Sequence, residues 1–508
     1  MADKYEQIKS ALSEPAMNAK LFACRFGLEA KKHRVLTNGR ASRHPYPANL
    51  RTRQYNIYLN SGFTDDMIDF ETPPVVGSKK AVDNLKMLEQ VMINHLQSDE
   101  RLWPLSIAPS PYIEDLDFLK DFFTKEWDRE SRDYLANKYG IAKEIMGDVH
   151  INFGLDDDLI SEIYTRFYTT DFDTEAQFRN HLYFKMCQVY YIHQWLFTYL
   201  FGASPVTEEM SDSFSKDIEL PVRSIRANED GDDNIVGERV NYNSLNEHVN
   251  QLQEFLDNGT FYSLKEFFGP VRLRHHNHDM RDLKGMMEQG VDYLEFRNFD
   301  LDPLSRAGIS DDTLNFLELL LLNAIVSPLP DDLADRLAKA RQINNEVALQ
   351  APKEQTEWMK DAAMAVIDDL QKFVEDFNAP REYRMALTFA RRRVEDPSLT
   401  ISGQLADRIE NSNPLSLGLK IANDRYADIM AFPNPLQAIS KDYSVDIQKL
   451  VRAAIELGVQ FELGEGIVTL SVGDHKEFYQ AEESLDFSKG PRDFVLSAFP
   501  EAKDFQEQ

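Results

Sequence analysis

The feature that most constrains this chain is an alternation that recurs in four separate stretches. In Val291-Asp292-Tyr293-Leu294-Glu295-Phe296-Arg297, the period of two imposed by a strand puts Tyr293, Glu295 and Arg297 on one face and Leu294 and Phe296 on the other. Within Asp66 to Thr72, Asp69 and Glu71 oppose Ile68 and Phe70, and within Asp148 to Leu155, His150 and Asn152 oppose Val149, Ile151 and Phe153. A fourth strand, between Phe22 and Val35 and leading to the turn Thr37-Asn38-Gly39, lines up Arg25, Gly27, Glu29 and Lys31. If these strands share a sheet, its apolar face packs on helices and its other face gathers ionisable groups.

Helical spacing dominates between them. Val82, Leu85, Leu88, Val91, Met92 and Leu96 mark a helix over Lys79 to Leu96, and further helical stretches are expected around 113–138, 156–201, 242–268 and 331–396. Strands and helices do not alternate regularly, so the expected class is α+β. Leu319 to Val326 is the longest apolar run, broken by Asn323, and reads as a buried helix, too short to span a bilayer. In the tail, Ile447 to Leu457 reads as an amphipathic helix ended by Gly458, followed by a strand pair, Val459 to Leu463 and Ile467 to Val472, around Gly464-Glu465-Gly466. The expected organisation is a large domain over 1–436 and a small C-terminal subdomain over 437–508.

Several function classes fall away. A formal charge of −29, from 85 acidic and 56 basic residues, repels phosphate backbones and argues against nucleic acid as a partner. The N-terminus lacks an apolar stretch between a basic start and a cleavage site, so the expected location is the cytoplasm, with no membrane partner. Cys24 and Cys187 alone do not form a disulfide framework, and both are expected to be reduced and buried. Neither a Walker-type phosphate loop nor a Gly-x-Ser-x-Gly elbow occurs. His275-His276-Asn277-His278 reads as an exposed polar turn, and Arg391-Arg392-Arg393 as a solvated face pairing with Glu395 and Asp396.

On one sheet face, Glu29, Asp69, Glu71, His150, Glu295 and Arg297 would crowd like charges. Magnesium is the usual remedy, because its shell takes carboxylate oxygens and nucleotide phosphates together. Metal-assisted phosphoryl transfer is therefore the leading reaction class, and a merely solvated polar face is the plain alternative.

Seven segments in order also resemble the glutamate-cysteine ligases, especially the bacterial group that includes fused bifunctional glutathione synthases. They are Arg25-Phe26-Gly27-Leu28-Glu29 with His33-Arg34-Val35; Phe63 to Pro73; Glu100-Arg101-Leu102-Trp103-Pro104-Leu105-Ser106; Asp148 to Phe153; Tyr199 to Pro205; Gly269 to Arg274; and Tyr293 to Arg297. The resemblance implies a curved, mainly antiparallel sheet of about six strands, of the glutamine-synthetase-like type, surrounded by helices. It implies an ATP-dependent ligase of glutathione biosynthesis that joins the γ-carboxyl of glutamate to an amine through a γ-glutamyl phosphate, with cysteine the family's acceptor. Mg2+, or Mn2+, would be the metal, and the chain would be a monomer or a homodimer. By position, Glu29, Asp69, His150 and Glu295 would hold metal, Arg297 would steady the transferred phosphate with Glu295 and Lys31 beside it, and Arg226, Lys138, Asp232 and Phe63 would lie at the substrates. The tail from about 437 resembles the segment that opens an ATP-grasp module in the fused enzymes, whose nucleotide-binding core would lie beyond this chain.

The sequence also departs from the family's pattern. Lys31 stands where a second glutamate is usual, Gly62 and Asp69 where an aspartate and a glutamate are usual, Lys138 where an arginine is usual, and Asp232 where a tyrosine is usual. A lysine lacks the guanidinium fork for a carboxylate or phosphate. Two readings stay open: a rebuilt site in which Lys31 and Glu71 take part and the acidic loop 229–233 selects a cationic or otherwise different amine in place of cysteine, or a chain that keeps the fold as a binding or regulatory protein with incomplete metal loading.

Overall fold

A computed structural model describes residues 2–51, 55–113, 126–205, 221–229, 231, 233–276, 283–409 and 413–502. Its centre is an antiparallel sheet of β1 (Arg25–Leu36), β2 (Leu59–Ser61), β3 (Met67–Glu71), β4 (Val75–Val76), β5 (Glu100–Leu102), β6 (Asp148–Gly154), β7 (Val271–Arg274) and β8 (Tyr293–Asp300). Six of these follow the order β2-β3-β1-β6-β8-β7, while β4 and β5 pair along β1, and the sheet stays open. The expected α+β class, with its mainly antiparallel six-strand path among helices, holds. The first strand begins at Arg25 rather than Phe22, because the helix Pro15–Leu21, with proline in its first turn, runs up to that point.

Register is what builds the ionisable face. Glu29 lies opposite Glu71 on β3 and opposite His150 on β6, and Lys31 lies opposite Asp69. Asn152 lies opposite Glu295, which in turn lies opposite Arg272. Between the pairs Ile151–Phe296 and Val149–Phe299, β8 carries one residue more than β6. This bulge shifts the alternation just past Arg297, so Phe296 and Phe299 both stay on the apolar side.

The apolar face rests on the helix Glu175–Phe201, which Thr174 caps by accepting from the Gln177 amide. Tyr190 meets Phe296 edge-on at 4.6 Å, and Phe197 meets Phe299 at 5.9 Å and Phe316 at 5.5 Å. Phe316 belongs to the helix Asp311–Val326, buried along almost its whole length as its apolar run implies. Helices Leu333–Leu349, Glu357–Asp376 and Arg381–Glu395 complete this side. Arg391 pairs with Asp368 on the neighbouring helix, not with Glu395 or Asp396, and Arg393 packs over Phe201 and donates to the Leu200 carbonyl. No helix among the described residues is long and apolar enough to cross a membrane.

In the tail, the helix Val445–Leu457 ends at Gly458, in the left-handed conformation (φ 64°). A Cβ there would meet the Asn56 backbone at 3.0 Å, so the close approach also favours glycine. The expected strand pair is a three-stranded sheet, β9 (Gln460–Leu463), β10 (Ile467–Val472) and β11 (His475–Gln480). It is tied to the main body by the Phe461 amide donating to Tyr58 Oη (3.0 Å), by Arg51 donating to the Leu457 carbonyl (2.9 Å), and by the Gln437 amide donating to Gln90 (2.8 Å).

Glu318, on the helix Asp311–Val326, is 1% exposed, with Tyr383 and Cys24 beside its carboxyl. Burial, the dominant cause, pushes its pKa up to about 8, against an unfolded value of about 4.3. The native state therefore holds a proton that the unfolded chain loses between these values, and stability falls as pH rises through that window. Glu318→Gln should raise the melting temperature at pH 8.5 relative to the parent and leave it nearly unchanged at pH 4.5; an offset independent of pH contradicts the assignment.

Candidate functional site

Three donors meet on the ionisable face. His150 Nδ1 lies 3.3 Å from Glu29 Oε2 and 3.5 Å from Glu295 Oε1, and Asn152 donates to Glu29 Oε1 at 2.9 Å. Burial pushes Glu29 upward, as does the charge of Glu295, yet hydrogen bonds from His150 and Asn152 hold it below its usual value. Around Glu295 stand Arg297 Nη1 at 3.3 Å and Arg272 Nη1 at 3.8 Å from Oε1, and Arg274 Nε at 3.4 Å from Oε2. Burial opposes its ionisation, but these guanidinium groups and His150 outweigh burial and hold the carboxyl well below the usual range.

A second hub adjoins it. Asp148 Oδ2 receives His150 Nε2 at 3.1 Å, Arg226 Nη2 at 3.0 Å and Lys31 Nζ at 3.4 Å. Burial again works against the charge, and His150, Lys31 and Arg226 together pull Asp148 far below its normal value. On the β3 side the balance reverses. Burial, with Asp148 and Glu29 adding to it against Lys31, pushes Asp69 up to about 6, and burial with Glu29 pushes Glu71 up to about 7 despite a hydrogen bond from Asn60.

The donor set fits a divalent cation. One ligand atom from each of Glu29, His150 and Glu295 lies within 4.8 Å of the others, close to the roughly 4.2 Å span of a coordination sphere with bonds of about 2.1 Å. Asp69 lies one strand away from Glu29, and its buried Oδ1 has no hydrogen-bond partner among the described residues. Mutual repulsion is nonetheless not what calls for the cation at Glu295, as the alternation alone suggested: arginines already neutralise it, as Arg226 and Lys31 do Asp148. The surplus negative charge lies toward Glu29, Asp69 and Glu71.

Other expected residues are placed differently. Lys138 is not brought to the cluster: its Nζ is held by Glu266 (2.5 Å), Glu238 (2.9 Å), the Thr260 carbonyl (2.7 Å) and Tyr134 Oη (3.2 Å), and the bonds to Glu266, Glu238 and Tyr134 outweigh burial to raise its pKa. Phe63 packs against a small apolar cluster that includes Trp103 and Tyr112. Arg226 is buried, donating to Asp148 and to the carbonyls of Arg297 (2.6 Å) and Phe299 (3.3 Å) at the β8 bulge. Asp232 lies outside the described residues. Of the same acidic loop, Asp233 bonds to Arg341 and Arg239, and Glu229 to Arg239, so these two carboxylates are already neutralised and do not offer a cation-selecting surface. At Gly62 a Cβ would meet the Met67 side chain at 2.6 Å, so a larger residue there requires that side chain to move.

Sequence reasoning missed Asp148, Arg272 and Arg274 as site members. The same period of two held the signal, since Asp148 precedes His150 by two positions and Arg272 precedes Arg274 by two on β7. A cleft of about 430 Å³ opens beside the cluster, lined by Lys31, Tyr139, Lys143, Glu144, Asp148, Arg226, Asp233, Phe268 and Arg297 among others.

A helix-backed open sheet whose ionisable face couples a carboxylate–imidazole triad to a set of arginines thus defines the molecule. The chain belongs to the glutamate-cysteine ligase family, which residues 10–257 and 232–347 match. It is similar to the glutathione biosynthesis bifunctional protein of Streptococcus agalactiae, 31% identical over 441 residues that cover 86% of this chain and 57% of that protein. The corresponding protein of Streptococcus mutans is 28% identical over 477 residues, covering 93% of this chain and 61% of that protein. The chain therefore spans less than two thirds of these relatives' length. Among solved structures, a bifunctional glutathione synthetase from Pasteurella multocida superposes with a TM-score of 0.82 at 26% identity, over 93% of this chain and 62% of that one. A glutamate–cysteine ligase from Francisella tularensis, in complex with AMP, shares the fold with a TM-score of 0.70 at 20% identity, over 95% of this chain and 99% of that one.

The two kinds of carboxylate should respond oppositely to neutralisation. In metal-free buffer, Glu295→Gln strips three arginines of their counter-charge and should cost about 3 kcal/mol of stability. Glu71 has a folded pKa above its unfolded one, so it penalises the native state as pH rises through about 7; Glu71→Gln should raise the melting temperature at pH 8 and not at pH 5. Equal effects of the two substitutions in thermal melts would contradict this electrostatic map.

Proposed function

We propose that the chain is an ATP-dependent ligase that forms a γ-glutamyl amide bond from glutamate and an amine, cysteine being the family's acceptor. The observation that carries this reading is the meeting of Glu29, His150 and Glu295, from three strands, beside Arg297 in a chain of this family. Glu29, His150 and Glu295 would hold the divalent cation, Mg2+ or Mn2+, with Asp69 at its edge. When bound, that ion supplies positive charge to the phosphate oxygens.

The chain's own residues then do the rest. Arg297 and Arg274, fixed against Glu295, present guanidinium charge where negative charge spreads during phosphoryl transfer. A γ-carboxylate oxygen of glutamate attacks the γ-phosphorus of ATP, ADP departs, and a γ-glutamyl phosphate forms. The amine nitrogen attacks the acyl carbon, phosphate leaves, and the amine gives up a proton. Lys31, one strand position from the triad, contributes a fixed ammonium to the cleft in which the amino-acid substrates would sit.

A second reading has its own support. Because Arg272, Arg274 and Arg297 already compensate Glu295, the fold is electrostatically sound without full metal loading, as a binding or regulatory protein would require.

Phosphate release should require ATP, Mg2+, glutamate and an amine together, with a γ-glutamyl amide as the product by mass spectrometry across a panel of amino-acid acceptors. Arg297→Gln should lower kcat/KM by about 100-fold or more. ATP binding without turnover under any acceptor favours the second reading, and label transferred from ATP to a macromolecule overturns both.

A further inference from the structure

Both ring nitrogens of His150 face carboxylates, and the two sides are built differently. Nε2 lies 3.1 Å from Asp148 Oδ2, and that oxygen is itself held by Arg226 Nη2 at 3.0 Å and Lys31 Nζ at 3.4 Å. Arg226 is further anchored by the carbonyls of Arg297 and Phe299, and Asp148 and His150 are both nearly excluded from solvent. Nδ1 lies at longer range, 3.3 and 3.5 Å, from Glu29 and Glu295, whose oxygens are two of the three candidate ligand atoms. A carboxylate is an acceptor only, so without a cation either ring nitrogen can donate, Nε2 to Asp148 or Nδ1 to Glu29; a cation between Glu29 and Glu295 takes the place of a proton on Nδ1, and the neutral ring then donates from Nε2 to the closer Asp148.

We propose that Asp148 is a positioning residue: its carboxylate holds the Nε2 proton of His150, leaving Nδ1 unprotonated and aimed between Glu29 and Glu295 as a ligand for a divalent cation. The β6 backbone makes this possible, because residues two apart project to the same face and one short side chain reaches back to the other. Lys31 and Arg226 serve the same end indirectly, by holding the Asp148 carboxylate in place. Lys31 is thus a member of the support around the triad rather than a lost ligand. A histidine oriented by an outer carboxylate is a general device for raising ligand basicity and fixing the ring, and its loss typically weakens metal binding 10–100-fold.

This inference rests on the metal-binding reading above, and the test separates the two. Full-length protein carrying ¹⁵N-labelled histidine, loaded with Mg2+, should give the long-range ¹H–¹⁵N pattern of the Nε2–H tautomer for His150, assigned by its loss in His150→Gln. Mn2+ binding, followed by electron paramagnetic resonance, should weaken 10–100-fold in Asp148→Asn, with the His150 tautomer signal displaced. An Nδ1–H tautomer of His150 in the Mg2+-loaded parent overturns the proposal. So does an Asp148→Asn protein that binds Mn2+ like the parent, or one that loses Mn2+ with its tautomer signal unmoved. If His150→Gln binds Mn2+ as tightly as the parent, the metal-site reading itself falls.

Discussion

The cross-strand pairing of Glu29 on β1 with His150 on β6 is the contact on which the rest of this structure depends. A slip of one residue in that pairing would turn every ionisable side chain of β6 toward the helices and every aromatic one toward solvent. The register is therefore enforced from the apolar side, where Phe26 meets Phe153 at 5.5 Å and Tyr190 meets Phe296, by burial that each ring contributes. Core and site are two faces of one constraint: the residues that specify the pairing are not those that carry the chemistry.

Charge on the open face is matched locally rather than by one ion. Three arginines surround Glu295, and Lys31, Arg226 and His150 share Asp148, so removing either carboxylate would strand several cations in a poorly solvated place. Toward β3 such a match is lacking among the described residues, and Asp69 and Glu71 are pushed up instead, to about 6 and 7. The face thus grades from an arginine-rich end around Glu295 to an end where burial favours protonated carboxyls.

The sheet's ionisable face was legible because strand alternation is strict over five to seven residues: Glu29, His150, Glu295 and Arg297 are all where period two puts them. Asp148 was passed over because it begins its strand, where alternation has no preceding residue to establish a face. Arg272 and Arg274 keep the period of two, but on a four-residue strand it repeats only once. The bulge in β8 adds a residue that no pattern announces, since its effect appears only against the partner strand. Lys138 and Asp233 escaped for another reason: their partners Glu266 and Arg341 are far away in sequence, and ion pairing over such separations leaves no local trace. In the tail, β11 was missed because all but one of its residues are exposed, which erases the apolar half of the alternation.

The central claim is that side chains from β1, β6 and β8 form one cation site. Diffraction from crystals grown with Mn2+, recorded on both sides of the manganese absorption edge, tests it most directly. An anomalous peak bonded to Glu29, His150 Nδ1 and Glu295 is the expected result. A well-ordered sheet with no peak there, or with manganese held only by other residues, contradicts the account.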